Sequence, residues 1–150
     1  MAYAEETRIE LEASIGQIIT LLRKAGADRV GQMQEPERVI IYFALADRQM
    51  KFVAPLVTEY RGPASHGNGR PVDRAKWIEQ KNRQKGRALF LVIKAKLESV
   101  ESGVETFEQA FFANVVTADG RTVYERTRED LALEYTSGKV RPLMLGGPTP

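Results

Sequence analysis

The sequence predicts an α+β fold, in which an antiparallel sheet of three or four strands is covered by helices. Three β-rich runs follow one another with only short polar turns between them, at residues 28–34, 38–46 and 49–57. This spacing is typical of an antiparallel meander. Helical runs precede and follow the meander, so the predicted order is β-α-β-β-β-α with a small C-terminal helical extension.

The first predicted element is a half-buried strand, because apolar and charged residues alternate between Thr7 and Ala13. Ser14 and Gln17 then have the spacing of a capping box, which predicts a helix over residues 14–25. The alternative is a single long helix that begins at Thr7.

The middle β-rich run is apolar at successive positions from Val39 to Ala44. It is therefore apolar on both faces and predicted to be the central strand. Residues 58–71 are too rich in Gly, Pro, Ser and Asn for regular structure, so we expect a loop there.

A long helix predicted over residues 72–100 carries the clearest charge signal in the chain. The segment from Arg70 to Lys96 contains nine Lys and Arg residues against two acids, a local balance of +7, whereas the whole chain carries +2. Four of these cations share one side of the helix: Lys76, Arg83, Arg87 and Lys94. We call these four residues the basic stripe.

Positive charge concentrated on one element is expected of a surface that binds polyanions. The predicted nucleic-acid-binding residues are the basic stripe together with four further cations and one aromatic ring: Arg74, Lys81, Arg70, Arg61 and Trp77. Trp77 and Ile78 lie beside lysines in the first half of the predicted helix, which is too apolar to be exposed to solvent and too charged to be buried in the core. We therefore predict a homo-oligomer whose interface includes Trp77 and Ile78.

The C-terminal part is predicted to be helical. Residues 107–114 favour a short helix, and Thr122 with Glu125 forms a second capping box that opens a helix ending near Gly138. The alternative is a hairpin about residues 119–120. We divide the chain into an α+β core with the long basic helix, residues 1–102, and an extension packed on it, residues 103–150, of which 143–150 are expected to be an unstructured tail.

Several functional classes are disfavoured. The chain has no cysteine, no apolar run long enough for a membrane span and no leader pattern, so we expect a cytoplasmic protein without disulfides, thiolate chemistry or a membrane partner. The single histidine, His66, lies in the Gly-rich loop without a visible catalytic partner. The run Glu98, Glu101, Glu105 and Glu108 is expected to be a solvated acidic face. We predict no catalytic residues, no cofactor and no metal site; enzymatic activity is disfavoured but left open.

Three motifs give a resemblance: RALFLVIKAKLESVE at residues 87–101, TFE at 106–108 and DGRTV at 119–123. They resemble a family of small uncharacterised proteins of tailed bacteriophages, prophages and mobile elements. The resemblance implies a bacterial host cell and favours DNA over RNA as the partner.

The predicted core is also similar in outline to phage single-strand annealing proteins of the Rad52 type and to double-stranded RNA-binding domains, which is an analogy of topology. The first functional hypothesis is therefore a phage-type nucleic-acid-binding protein, an oligomeric accessory in recombination or single-strand annealing. The alternative is an interaction module, an inhibitor or scaffold, whose basic helix docks an acidic protein.

Overall fold

The computed structural model describes residues 4–144. Within this range the elements, in chain order, are α1 (Leu11–Lys24), β1 (Asp28–Glu35), β2 (Arg38–Leu45), β3 (Arg48–Pro55), α2 (Arg74–Glu101), α3 (Phe107–Phe111) and α4 (Val123–Ser137). The predicted α+β class with a three-stranded antiparallel sheet is confirmed. No helix in the described range combines the length and the apolar character needed to cross a membrane.

The predicted strand over residues 7–13 is wrong. The chain enters α1 at Leu11 with Glu10 at the N-cap position, so the order is α-β-β-β-α followed by α3 and α4. The alternating pattern overlaps a helical one that begins at Leu11 and recurs every three or four residues. Its members Ile15, Ile18 and Leu22 are at most 1% exposed. Burial of this stripe against α2 and the sheet decides in favour of the helix.

The two long helices cross closely at Gly86. A Cβ atom there would lie 2.7 Å from Leu11 Cδ1 and 3.4 Å from Ser14 Cβ. The predicted capping box at Ser14 is not formed. Ser14 is instead fully buried in this crossing, and its hydroxyl has no hydrogen-bond partner among the described residues. Gly86 therefore allows the backbones of α1 and α2 to approach each other.

The sheet is a meander with strand order β1-β2-β3, and β2 is central as predicted. Val39, Ile41 and Phe43 of β2 face the helices and are at most 2% exposed. On the opposite face, Tyr42 is 38% exposed. The turn between β2 and β3 consists of Ala46 and Asp47, whose φ values of 52° and 59° are those of a type I′ turn.

Helix α2 begins after Asp73, whose carboxylate accepts a hydrogen bond from the backbone N of Lys76 at 3.1 Å. The second half of α2 buries Phe90 and Ile93 in the core. In the first half, the side-chain amide of Asn82 bonds both the N and the O of Val57, at 2.7 and 3.1 Å. This half is therefore attached to the end of β3 by polar contacts.

The C-terminal elements share the core of the sheet and helices, since Ala110, Phe111 and Val123 belong to the same buried cluster. The capping box of Thr122 and Glu125 opens α4, and Gly138 ends it in the left-handed region with φ 70°. The predicted helix is thus confirmed. Of the alternative hairpin about residues 119–120, the bridge between Val116 and Thr122 is present. Most of the predicted tail, residues 145–150, lies outside the described residues.

Val115 and Val116 also lie against the outer edge of β3. Val115 forms an antiparallel bridge with Met50, and the N of Val116 donates to the O of Gln49 at 2.7 Å. Asn114 Nδ2 donates to the O of Lys51 at 3.2 Å. These contacts attach the C-terminal segment to the sheet without forming a fourth strand.

Candidate nucleic-acid interface

The basic stripe is divided by the packing of α1 on α2. Arg83 lies between the helices, where its Nη2 donates to Glu10 Oε1 at 2.5 Å and to Glu79 Oε1 at 2.8 Å. The hydrogen bond to Glu10 is the main cause that raises the pKa of Arg83 above its ordinary value. Because two carboxylates already hold this guanidinium, the geometry gives Arg83 a role in joining α1 to α2.

Arg87 is engaged in a similar way. Its Nη1 donates to Gln17 Oε1 of α1 at 2.6 Å, and its guanidinium carbon lies 4.2 Å from the centre of the Phe90 ring. The middle of the basic stripe is therefore occupied by contacts within the protein.

The two ends of the stripe, Lys76 and Lys94, are exposed. They are roughly 27 Å apart along the helix axis, at a rise of about 1.5 Å per residue. Within residues 4–144, no carboxylate lies within 4.0 Å of either ammonium group. The stripe thus offers two separate free cations and not one continuous row.

A second group of side chains lies at the start of α2, on the side away from α1. The rings of Tyr60 and Trp77 meet edge to face with their centres 4.9 Å apart. Arg74 lies 5.3 Å from the centre of the Tyr60 ring, and Lys81 lies 5.5 Å from that of Trp77. We call Tyr60, Arg74, Trp77 and Lys81 the cation-aromatic cluster, in which the rings attract both cations without neutralising them.

The cluster attaches the loop between β3 and α2 to the helix. A Cβ atom at Gly62 would lie 2.7 Å from the Tyr60 hydroxyl and 2.8 Å from Trp77 Nε1, so the loop backbone lies directly against both side chains. The loop also carries Arg61 and Arg70, which are exposed. It therefore adds two cations beside the start of α2.

The electrostatics of this end of α2 are unusual. Arg74 and Lys76 lie in the first turn of the helix, which contains no acidic residue. The first turn carries the positive end of the helix dipole, so each cation there is disfavoured by about 0.3–1 kcal/mol. Asp73, the N-cap, offsets part of this repulsion. The start of α2 consequently has a strong positive potential that an external anion would relieve.

Ile78, predicted with Trp77 to form an oligomer interface, is half-buried, as is Trp77. Since Trp77 contacts both Tyr60 and Lys81, part of its surface is used within the protein. The remaining exposed surface of Trp77 is small.

Other candidate groups are not assembled into a site. His66 is exposed, and its backbone forms the hydrogen bonds: its N donates to the O of Arg70 at 2.9 Å, and its O accepts from the N of Gly69 at 2.9 Å. Glu105 accepts from the hydroxyl of Ser99, and Glu108 lies 3.7 Å from Arg48. Within residues 4–144, no group of three or more His, Asp or Glu side chains is arranged to hold a metal ion.

Two residues of this region were missed by sequence reasoning. Glu10 neutralises Arg83 from 73 positions away in the chain, and Tyr60 joins Trp77 from within an irregular loop. Neither element follows a periodicity that could place these side chains beside α2. Only the tertiary packing brings them there.

The chain was compared with known proteins in three ways. No family model matches it, and neither the curated proteins nor the solved structures gave a match. The resemblance to bacteriophage proteins therefore stays a prediction.

Proposed function

We propose that this protein binds nucleic acid through the start of α2 and the loop before it. The phosphate-binding residues on this surface are Arg61, Arg70, Arg74, Lys76 and Lys81. Lys94 extends the surface along α2, whereas Arg83 and Arg87 hold its framework in place.

One observation carries this proposal: cations without acidic partners are concentrated at and just before the start of α2, where the helix dipole opposes Arg74 and Lys76. Within residues 4–144, no carboxylate lies within 4.0 Å of Arg70, Arg74, Lys76 or Lys81, and Arg61 has only a 3.8 Å contact with Glu59. An arrangement that is unfavourable in isolation supports a role in binding an anion. Phosphates that neutralise these cations release counterions, which drives association with nucleic acid.

Trp77 supports the same proposal as a half-buried aromatic ring within this cationic surface. Aromatic rings between cations are used to stack bases of single-stranded nucleic acid. The phage resemblance alone favours DNA over RNA. It is also the only basis for proposing a role as an accessory in recombination or single-strand annealing. No reaction is proposed.

The proposal is tested by the salt dependence of binding to a fluorescent single-stranded DNA oligonucleotide, measured by anisotropy. The variant Arg74→Glu/Lys76→Glu/Lys81→Glu should lose most of its affinity. Its slope of log K against log salt should be smaller by about 2.1, at about 0.7 per phosphate on a single strand, if each cation contacts one phosphate. Its stability should change little, because Glu at positions 74 and 76 in the first turn of the helix is favoured and offsets the lost cation–aromatic contacts of Arg74 and Lys81.

The matched control is Lys24→Glu/Arg128→Glu/Lys139→Glu, which changes the net charge by the same amount at exposed positions elsewhere. It should keep nearly the affinity of the wild-type protein. Equal losses in the two variants would mean that only the total charge matters, and unchanged binding in the α2 variant would refute the proposed surface.

A second candidate function is that of a protein-interaction module, and α4 provides the observation that favours it. Tyr124, Leu131 and Tyr135 lie at spacings of seven and four on one side of α4 and are 58%, 44% and 86% exposed. An exposed apolar stripe of this size is typical of a protein contact. In this case the cationic surface would dock an acidic protein, and purified protein would bind that partner but not the oligonucleotide.

Self-association through Trp77 and Ile78 remains part of the proposal. Light scattering should show an oligomer that Ile78→Glu converts to a monomer, with an unchanged circular dichroism spectrum. A strict monomer at high concentration, both with and without single-stranded DNA, would contradict it.

A further inference from the structure

A cavity of about 290 Å³ lies on the face of the sheet that α1 and α2 do not cover. Alternate residues of β2 reach this face, including Tyr42 and the small Ala44. Arg29 lines one side of the cavity, Gln49 and Lys51 of β3 contribute to its lining, and Gly120 lies on the other side.

Two irregular features of the chain form the walls of this cavity. On one side, the pairing of β1 with β2 is interrupted between Asp28 and Gly31 by a bulge. On the other side, the turn at residues 117–121 is closed by a hydrogen bond from the N of Thr117 to the O of Arg121, at 2.8 Å. Bulges of this kind redirect a side chain and are common beside binding sites.

Arg29 is the residue that the bulge redirects. Its φ is 48°, in the left-handed region that an arginine rarely adopts. Its side chain is 73% exposed and has only a 3.6 Å contact with Asp28, so no strong interaction of the side chain explains the strain. Strained backbone of this kind is frequent where a side chain must be presented to a ligand.

The lining groups define the chemistry of a ligand. Arg29 provides an exposed guanidinium, which matches the geometry of a phosphate. Tyr42 provides a partly exposed ring for stacking, whereas Lys51 is paired with Glu125 at 3.1 Å and adds no free charge. The volume is at the lower limit for small-molecule sites, so the ligand must be small.

We propose that this cavity binds a nucleoside monophosphate, with Arg29 recognising the phosphate and Tyr42 contacting the base. The inference is independent of the nucleic-acid surface on α2, because α1 and α2 pack on the opposite face of the sheet. It concerns a free nucleotide and not a polymer.

The test is isothermal titration of the full chain with AMP, GMP, CMP and UMP. At least one should bind with one-to-one stoichiometry. Arg29→Gly should weaken that binding about tenfold or more, because it removes a charged hydrogen-bond donor, and Tyr42→Leu should weaken it about fivefold or more through loss of stacking.

Controls separate loss of the site from loss of the fold. Arg29→Gly should leave the Tm unchanged or higher, since glycine adopts the left-handed region without strain. Ala46→Gly, at another position of positive φ (52°) and outside the cavity, should affect stability similarly but leave binding unchanged. Tyr135→Leu, on α4, should also bind like the wild-type protein.

The proposal is overturned if none of the four nucleotides binds at millimolar concentration. It is equally overturned if Arg29→Gly and Tyr42→Leu bind them like the wild-type protein. Binding of p-hydroxybenzoate without binding of any nucleotide would also overturn it, since the site would then recognise an aromatic carboxylate. Wild-type nucleotide affinity in the α2 triple variant would confirm that the two sites are separate.

Discussion

Replacement of Phe111 by alanine should destabilise the whole protein, because this ring links the C-terminal extension to the sheet. Phe111 is fully buried. Its ring meets Phe43 and Phe52 edge to face, with centres 6.0 and 6.1 Å apart, and stacks on Phe107 at 4.9 Å. Three aromatic contacts therefore disappear in one substitution.

The expected loss can be estimated from these contacts. Truncation of a buried Phe to Ala costs about 3–5 kcal/mol of unfolding free energy, which includes the cavity left behind. Each aromatic pair adds about 0.5–1.5 kcal/mol beyond the burial of area, so the upper half of that range is expected. For a chain of this size, the Tm should fall by roughly 8–20 °C.

The assay is urea denaturation followed by circular dichroism, with Phe112→Ala as the matched control. Phe112 is the next residue and is 49% exposed, so its loss should cost less than about 1 kcal/mol. Phe111→Ala should lower the midpoint in a single transition with an unchanged slope. Similar midpoints for the two variants, or a separate transition for the C-terminal part, would refute the reasoning.

Three further perturbations test other contacts. Gly86→Ala should change the unfolding free energy by less than about 1 kcal/mol, because the gain in helix propensity offsets the close contact of the new Cβ atom with α1. Gly86→Leu should cost about 1–3 kcal/mol through overpacking. Chemical denaturation of both variants measures the difference. A double-mutant cycle of Arg83→Met with Glu10→Gln should give a coupling of about 0.5–1 kcal/mol that decreases as salt is added, and a coupling of zero would argue against the assigned role of Arg83. Hydrogen bonds from the Thr117 hydroxyl and then from the Arg121 backbone hold the pKa of Asp119 well below its usual range. Because the native pKa is below the unfolded value of about 3.9, this stabilisation is present above about pH 4 and is lost as the pH falls further. Asp119→Ala should therefore destabilise the protein at neutral pH and have a smaller effect near pH 2, measured as denaturation midpoints. A difference that is constant with pH would contradict the assignment.

The sheet, α2 and α4 could be predicted because their signals are local. The β-rich runs are bounded by the turn signals at residues 35–37 and 47–48, and Thr122 with Gly138 marks both ends of α4. The start of α1 could not be predicted in this way, since residues 7–13 fit both a strand and a helix. Only burial against α2, a contact remote in sequence, distinguishes them.

The candidate site was predictable in composition and not in arrangement. The helical period correctly places Arg83 and Arg87 on one side of α2, but it cannot reveal that α1 covers this side. The neutralising Glu10 lies on another element, and helical spacing reports only neighbours within the same helix. Charge counted along the sequence therefore overestimated the free charge of the basic stripe.

The contacts of the C-terminal segment with β3 have a consequence for how copies of the chain can associate. An open strand edge invites another chain to add a strand, but here Val116 and Asn114 already occupy backbone groups of β3, and Pro55 at its end has no N–H to offer. The other edge, β1, is distorted by its bulge near Arg29. The sheet edges are thus poorly suited to pairing with a strand of another copy. If copies of this chain associate, we expect their contacts to involve helix side chains and not strand backbones.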